Sequence, residues 1–588
     1  MQPAYDKPID VGTGVVCASF AADGSWLSIG RLHERWGFVE LSGLPPFAET
    51  GRGDPDETRR YRRLTTGAEH AWLRIEPVDG GRADQSAMVL GTPGTPRLTQ
   101  RWEFGEGVER IVRVAGRLDR PALAEITEVN PPAPTGAVTS FEAEGGRLVI
   151  RAADLPATAT VVVSAGRWRI HEGGAELRLG DDLRTVDVDV VLESGREPPT
   201  NVSLVPDEAD WRSLPEAPRD HGIGSVVERA LGYVRSCTAL TLRPGERAML
   251  TDHRLLPLAW TRDAYYQALL LLANGSPADI AIVADHLRWT WRRCERPAGR
   301  WMRSHHGNGR PKDLVFQADQ QLYPVVELAD YWRVTGTLPD GVDWTQLVPE
   351  AWRAVLGAVD PATALVATEE NAADDRAEAP FVAGAQILLW YAATRLAELV
   401  PHCRIGIGAD DLLATAAAVR AAFDRHLATG DRWAYATDGR GRRVDYHDAN
   451  EFPTSLAPLW GFCAADDPQW RRTIGFAFST ENPGFVGGPA GGLGSRHTPG
   501  VWPLGHVQAW LAGRIVGDEA AAAGALARIV SAAFPDGMLP EAVVADGDAP
   551  VPIRHWFAWP GAAIGALWLL DQGPGLDTIA ARVRRVRV

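Results

Sequence analysis

The chain of 588 residues has only two lysines, Lys7 and Lys312, and five cysteines, Cys17, Cys237, Cys294, Cys403 and Cys463. The cysteines are odd in number, scattered and without CxxC spacing. That argues against a disulfide framework or a zinc site and predicts a reducing cytoplasm. No apolar run reaches the ~18 residues of a membrane span. The opening MQPAYDKPIDVGTG has no basic segment followed by an apolar one, so no secretory leader is expected. Positive charge is scarce as well. Sixty basic residues face 75 acidic ones, a net charge of −15, which argues against a nucleic-acid groove. With lysine nearly absent, the cations are almost all arginine, a signature of a GC-rich genome without mechanistic content. At 45% hydrophobic and 23% charged, the chain is close to a soluble globular average, so disorder and collagen-like structure are excluded. At about 150 residues per domain, the length allows two to four domains.

What is present divides in two. Residues 1–210 carry short runs of period two: Arg147–Ile150, Thr158–Val163, Arg167–Ile170, Glu176–Leu179 and Thr185–Leu192. The last alternates polar and apolar residues and reads as a half-buried strand. Gly145-Gly146, Gly173-Gly174 and Gly180-Asp-Asp182 mark turns at spacings of ~8–12 residues, a sandwich pattern rather than a βαβ one. Residues 206–218 are acidic and proline-rich, and 211–221 is expected to link the halves. From 222 to 588 the period becomes 3.6, as in Val226, Val227, Ala230, Leu231 and Val234, or Leu322, Val325, Val326 and Ala329, or Leu412, Leu413, Ala416 and Ala417. Roughly a dozen such segments follow, with no convincing strand between them. A ring of six helical hairpins, an (α/α)6 toroid, accommodates them. A solenoid is the alternative, but no fixed-period repeat is visible. The expected class is α+β multidomain, an antiparallel β-sandwich followed by the toroid, with the site in loops at one end.

Those loops hold the polar clusters. WTRD (260–263) puts Arg262 and Asp263 at a helix start, where Asp263 is either a cap or a site carboxylate. Asp319 precedes an amphipathic helix among Phe316, Leu322 and Tyr323. It is either another cap or a carboxyl whose apolar surroundings keep it protonated as a general acid. YHDANEFPTS (446–455) mixes donors and acceptors suited to hydroxyl-rich ligands, or caps the helix that follows. ENPG (481–484) and the glycine-rich GGLGSRHTPGVWP (491–503) lack the Lys-Ser/Thr ending of a phosphate loop. Glycine here lets backbone approach a ligand, with His497, Thr498 and Trp502 beside it. Glu541 is followed by RHWFAW (554–559), which reads as opening an apolar helix. The 22 Trp against 10 Tyr fit both core packing and stacking on sugar rings, and Trp260, Trp502, Trp556 and Trp559 fall inside these clusters. Two signals are discounted. The acidic run 369–378 resembles the magnesium-binding run of terpene cyclases but reads as a solvated loop. His305-His306 has no third metal ligand nearby in sequence.

Taken in order, WTRD, the Asp319 segment with Tyr323-Pro324, DANEFP (448–453), ENPG with GLGSRHTP and WP, and RHWFAW resemble glycoside hydrolase family 125, inverting exo-acting α-mannosidases on an (α/α)6 toroid. The motifs span most of 250–565. The resemblance implies that Asp319 is the general acid and Glu541 the general base. It further implies that Arg262, Asp263, Asp448, Asn450, His497, Arg554 and Trp556 line the sugar subsite. Trp260, Tyr323, Thr498 and Trp502 join them as substrate-binding candidates, with Trp502 and Trp556 expected to stack on sugar rings. Gln317 stands where the family tends to have an acidic residue, and LPEAVVAD (539–546) is only loosely similar. The β half is outside the usual layout and resembles the N-terminal sandwich of glucoamylase-type enzymes. Mannose and glucose therefore both stay open as the sugar.

The expected activity is removal of a terminal α-linked sugar by single-displacement hydrolysis, with the two carboxyls roughly 6.5–9.5 Å apart to admit a water. No metal or cofactor is called for, because carboxylates do both proton transfers. The expected partner is an oligosaccharide or small α-glycoside, with no nucleic acid and no membrane, and homo-oligomerisation left open. A glucoamylase-type exo-α-glucosidase and a non-catalytic carbohydrate-binding protein are the alternatives. A terpene cyclase would need a second metal motif, and a lyase acting on uronates would fit a net charge of −15 poorly.

Overall fold

Every strand pairing in the first half is antiparallel, as expected where short period-two runs are joined by tight turns. The computed structural model describes residues 222–573, apart from 255, 489–490, 535 and 547–548. Before them it describes 9–20, 26–42, 61–66, 72–77, 85–91, 94–104, 110–115, 117–119, 138–153, 155–171, 174–179 and 183–195. The acidic segment 206–218 and the turns at Gly173 and 180–182 lie outside the described residues. The strands form sheets of five, eight and three. One apolar core joins Val11, Phe20 and Ile29 of the first sheet, Leu148, Val161 and Val188 of the second, and Trp168 and Leu177 of the third.

The alternating strand Thr185–Glu193 is not half-buried. It lies inside the eight-stranded sheet, between Leu155–Val163 and Arg97–Phe104, and residues 186–192 are buried on both faces. Its polar face survives burial by charge pairing. Arg101 grips Asp187 with two hydrogen bonds of 2.7 and 2.9 Å, and Thr99 and Arg97 both bond to Asp189.

Twelve α-helices follow among the described residues. They are α1 Ile223–Tyr233, α2 Thr261–Asn274, α3 Pro277–Arg288, α4 Ala318–Thr335, α5 Trp344–Leu356 and α6 Ala383–Leu399. The rest are α7 Ala409–His426, α8 Phe452–Trp460, α9 Pro468–Ala477, α10 Pro503–Val516, α11 Glu519–Ala532 and α12 Ala558–Gln572. The even-numbered helices touch in a closed cycle, α2–α4–α6–α8–α10–α12 and back to α2. Several odd-numbered helices pack against this cycle, α7 on α6 and α11 on α10 among them. Burial matches those positions. Thirteen residues of α2 are buried, from Thr261 to Ala273, whereas α7 buries a single stripe of Leu412, Ala416, Val419, Ala422 and Phe423. Leu413 and Ala417, read from sequence as part of that stripe, are exposed.

The helical half also contains strands, against expectation. Ala239–Arg243 pairs with Glu246–Met249, and Pro540–Asp546 pairs with Ala549–Trp556. Pro550 and Pro552 break the pattern of the last strand, so its period-two signal is weak. RHWFAW therefore opens a helix only with its last two residues. Arg554 to Trp556 finish a strand, and α12 starts at Ala558. Among the described residues no helix is long and apolar enough to cross a membrane.

Two close approaches fix the packing. The strand Ile9–Gly12 lies against the π-helical turn Val234–Thr238 that follows α1. A Cβ on Gly12 would fall 2.1 Å from the Ser236 carbonyl oxygen, so only glycine fits there. Nearby, the buried His253 joins the two halves, with Nε2 2.9 Å from Ser19 Oγ and Nδ1 2.9 Å from Tyr233 OH. Deeper in the cycle, Gly384 in α6 faces Glu451 at the start of α8. A Cβ on Gly384 would sit 1.5 Å from the Glu451 carboxylate, which is itself buried. Burial, reinforced by Asp319 and Asp448, pushes the Glu451 carboxyl up to about 8.

Gly12→Ala is expected to cost about 1–3 kcal/mol of stability, the usual penalty for overpacking, and a denaturant melt measures it. The Glu451 shift sets a pH dependence. The folded chain holds a proton that the unfolded chain releases near 4.5, so this contribution is lost as pH rises toward 8. Buried histidines such as His286 and His447, pushed down to about 4, act in the opposite sense only below their ordinary 6.5. The melting temperature should therefore fall between pH 6.5 and 8.5, and Glu451→Gln should flatten that fall. An equal slope in both proteins would show that Glu451 is not its source.

Candidate active site

The polar clusters converge on the N-terminal ends of the cycle helices. Trp260 is the extended residue before α2, and Arg262 and Asp263 lie in its first turn. Gln317 precedes α4, and Asp319 lies in the first turn of that helix. Neither aspartate caps its helix. Asp263 Oδ2 instead accepts from Thr251 Oγ1 at 2.7 Å, and Asp319 Oδ2 from Arg262 Nη1 at 3.0 Å. The two helix starts are tied together, because Thr261 Oγ1 donates to the Gln320 side chain at 2.6 Å and the Arg262 amide to the same oxygen at 3.1 Å.

A cavity of about 500 Å³ opens here. Trp260, Arg262, Asp263, Asn450, His497, Trp502 and Glu541 line it, together with Asp374, Phe557 and Trp559. A second cavity of about 310 Å³ holds Asp319, Tyr323, Glu370 and Glu451, and Ala372 belongs to the walls of both.

Arg262 is the hub between them. It is buried, with Nη1 on Asp319, Nη2 3.2 Å from Asp374 Oδ1, and Nε 3.5 Å from Asp263 Oδ1. Burial alone would lower its pKa, but Asp374, Asp319 and Asp263 outweigh burial and hold the guanidinium above its ordinary value. Each carboxyl answers to its own surroundings. Burial raises Asp263 to about 7 against the pull of Arg262 and Thr251, and it also raises Asp319 against Arg262. Gln317 Nε2 bridges Asp374 Oδ1 at 2.7 Å and Glu370 Oε2 at 2.9 Å, and burial raises Glu370 to about 7. A neutral glutamine thus binds two carboxylates where an acid would add a third.

The acidic run 369–378 is solvated only in part: Glu369 and Glu378 are exposed, whereas Asn371 and Ala373 are buried. Asn371 Oδ1 accepts from the amides of Ala373 and Asp375 and folds the run back on itself. Its carboxylates then meet cations. Asp374 meets Arg262, Asp375 lies 3.2 Å from His497 Nδ1, Glu370 bonds Arg303 at 3.2 Å and Glu378 pairs with Arg496. Asp374 takes a left-handed backbone (φ 61°), which is strained for an aspartate. The hydrogen bond to Asp375 holds His497 above its ordinary pKa, against burial, with Asp374 and Glu541 adding to it.

Several expected residues stand behind the wall. Asp448 is buried and accepts from Tyr446 OH at 2.6 Å, Ser495 Oγ at 2.9 Å and Asn450 Nδ2 at 2.7 Å, so it orients Asn450. The Thr498 carbonyl accepts from Trp502 Nε1 at 2.9 Å. The Tyr323 hydroxyl lies 3.3 Å from that of Tyr266. Glu541 sits on the strand Pro540–Asp546, and Arg554 and Trp556 lie on its partner, with Trp556 opposite Pro540. The side chains of Arg554 and Trp556 lie outside the described residues. Asp374 was discounted with its acidic run, and Glu451 was not singled out within the 446–455 cluster. The available signal was position, since each sits in a polar stretch just ahead of a cycle helix.

Residues 348–569 match the family model of metal-independent alpha-mannosidases (GH125), a range that includes Asp374, Asp448 and Glu541 but not Asp319 or Arg262. No curated protein matches the chain in sequence. Two solved structures share the fold. A metal-independent alpha-mannosidase of Streptococcus pneumoniae, in a non-productive complex with alpha-1,6-mannobiose, covers 59% of this chain and 94% of its own, at 19% identity and a TM-score of 0.51. A bacterial glucoamylase complexed with acarbose covers 99% of this chain and 96% of its own, at 12% identity and a TM-score of 0.67. Residues 348–569 are thus similar to the metal-independent alpha-mannosidases (GH125), and the chain as a whole, with its N-terminal β region, shares the fold of a bacterial glucoamylase.

Proposed function

We propose that the chain removes a terminal α-linked sugar, mannose-like in preference to glucose, by single-displacement hydrolysis with inversion. In this reading residues 1–210 form a β-sandwich, 211–221 a linker and 222–588 an (α/α)6 toroid whose funnel is the larger cavity. The observation that carries it is that cavity's wall, where Asp263 and Asp374 flank the buried Arg262 and Glu541 and indole rings line the same space. Open at one side, carboxylate-lined and aromatic, it suits one sugar ring at a chain end.

Glu541, ionised, takes a proton from water as that water attacks the anomeric carbon. A protonated aspartic acid gives its proton to the leaving oxygen from the other face. The family resemblance assigns that acid to Asp319. Its burial and raised carboxyl support the role, since a general acid must hold its proton near neutrality. A second reading assigns it to Asp374, because Asp374 shares the larger cavity with Glu541 while Asp319 lines the adjoining one. Arg262 touches both and would stabilise whichever carboxylate the proton leaves. Trp260, Asn450 and His497 would bind sugar hydroxyls, Trp502 would face the ring, and Asp448, Tyr323 and Thr498 would brace them.

Glu541→Gln should lower kcat on its preferred aryl α-glycoside by roughly 10²–10⁴, the size of a general-base contribution, with the fold intact. Near-wild-type turnover in that variant would end the assignment. Asp319→Asn and Asp374→Asn separate the two readings of the acid. Loss of the acid should be severe on a natural oligosaccharide and largely restored on a glycoside with an activated leaving group, which needs no protonation. The other aspartate should show no such split. Proton NMR of the first-formed sugar should show the β anomer; an α product would rule out inversion. A panel of mannosides and glucosides assigns the sugar, and binding without turnover across it would favour a non-catalytic carbohydrate-binding protein.

A further inference from the structure

Two loops that contribute to the larger cavity are tied, away from it, to one residue of the N-terminal β region. That residue is Asp10, buried on the strand Ile9–Gly12. Ser19, on the neighbouring strand Val16–Phe20, donates to Asp10 Oδ1 at 2.7 Å. A hydroxyl has one proton, so toward His253 Nε2, 2.9 Å away, Ser19 can only accept. His253 thus carries a proton on Nε2, and its Nδ1 lies 2.9 Å from Tyr233 OH. All four groups are buried.

The first loop holds this histidine. Thr251, two residues before His253, lines the cavity and donates to Asp263 Oδ2 at 2.7 Å. Its carbonyl accepts from the amide of Ala558, the residue before Trp559, at 2.9 Å. Asp252, between Thr251 and His253, is buried and stiffens the loop, accepting from the amides of Arg254 at 2.6 Å and Leu256 at 2.9 Å. Leu256 lines the cavity as well, and Arg254 Nη1 reaches Ser28 Oγ of the β region at 3.4 Å.

The second loop precedes Glu541. The Asp10 carbonyl accepts from Nη2 of the buried Arg229 at 3.3 Å, and the same nitrogen lies 3.4 Å from Asp536 Oδ2. Asp536 Oδ1 accepts from the Met538 amide at 3.1 Å and closes the turn that leads to Glu541. In that turn Gly537 takes φ 84°, and a Cβ there would meet the Ser225 carbonyl oxygen of α1 at 3.0 Å. Burying two carboxylates, a guanidinium and an imidazole is costly unless each is paired, and apolar contacts would hold the two halves together with less desolvation. What the polar pairs add is direction, since each bond fixes one atom of one loop.

We propose that Asp10 is a positioning residue for the cavity: through Ser19 and His253 it sets Thr251 against Asp263, and through Arg229 it sets the turn that places Glu541. The β region is then a working part of the site. The proposal rests on the reading of the cavity as the active site, and it names what holds two of that site's carboxyls in place.

Hydrogen exchange and kinetics on the full chain test it together. Asp10→Ala should speed amide exchange by about 3–10-fold, the loss of a buried hydrogen bond, in peptides covering Thr251 and in peptides covering Met538, with α6 and α7 unchanged. Ser19→Ala should do so only in the first set, and Asp536→Asn only in the second. On the preferred aryl α-glycoside, Asp10→Ala should lower kcat/KM by roughly 10–100-fold, as small misplacements of site groups do. Ser19→Ala and Thr251→Val should be less than additive when combined, because both act through Asp263. Unchanged exchange in Asp10→Ala, an equal rise in every peptide, a wild-type kcat/KM, or full additivity overturns the proposal. If Asp10→Ala does not fold, Ser19→Ala and Asp536→Asn decide by the same criteria. If wild type hydrolyses no glycoside, the catalytic reading fails, and the exchange pattern alone upholds or overturns the linkage.

Discussion

One buried cation holds the site together. Arg262 lies among three carboxylates, Asp263, Asp319 and Asp374, and a single guanidinium cannot neutralise them all. Burying the excess negative charge is costly unless protons stay bound. The carboxyls respond accordingly. Asp263 and Asp319 are raised, and so are Glu370 and Glu451 in the adjoining cavity. A pocket that must retain protons near neutrality already meets the first requirement of acid catalysis. In the proposed mechanism the acid's proton follows from burial of the carboxyls around Arg262 rather than from any one residue's identity.

The helix cycle makes that balance structural. Arg262, Asp319, Glu451, Trp502 and Trp559 all sit at or just before the N-terminal ends of cycle helices, and Asp374 lies on the loop that leads into another. Residues far apart in sequence meet because the cycle closes. Helix N-termini carry partial positive charge, which partly offsets the crowd of carboxylates beside the buried Arg262 and Arg303. The β half is bound to this assembly through backbone contact at Gly12 and the buried Ser19–His253–Tyr233 chain.

The helical half was legible in the sequence because the deeply buried α4 and the striped α7 both carry apolar residues at period 3.6, whatever their depth. Depth itself was not legible. Thr185–Glu193 alternates like a half-exposed strand, yet it is buried on both faces because Arg101, Arg97 and Thr99 from a distant strand satisfy its aspartates. Asp374 was hidden for a related reason. An acidic run reads as solvated until the cations it meets are known, and Arg262, Arg303, His497 and Arg496 come from three separate stretches of chain. Local pattern reports which residues are polar. Only the fold reports which of them are paired.

The tryptophan excess shows the same limit. From sequence, an indole near a polar motif is a stacking platform or a core filler. Trp291 and Trp301 pack edge to face with ring centres 5.0 Å apart, both buried, and are filler. Trp502 keeps its ring surface and gives up its N–H, whereas Trp559 gives up its ring surface and keeps its N–H. Neighbours decide this division of labour. Arg262 lies over the ring of Trp559 and also contacts the carboxylates, so the cation that opposes the effect of burial on those carboxyls also covers a face of that indole.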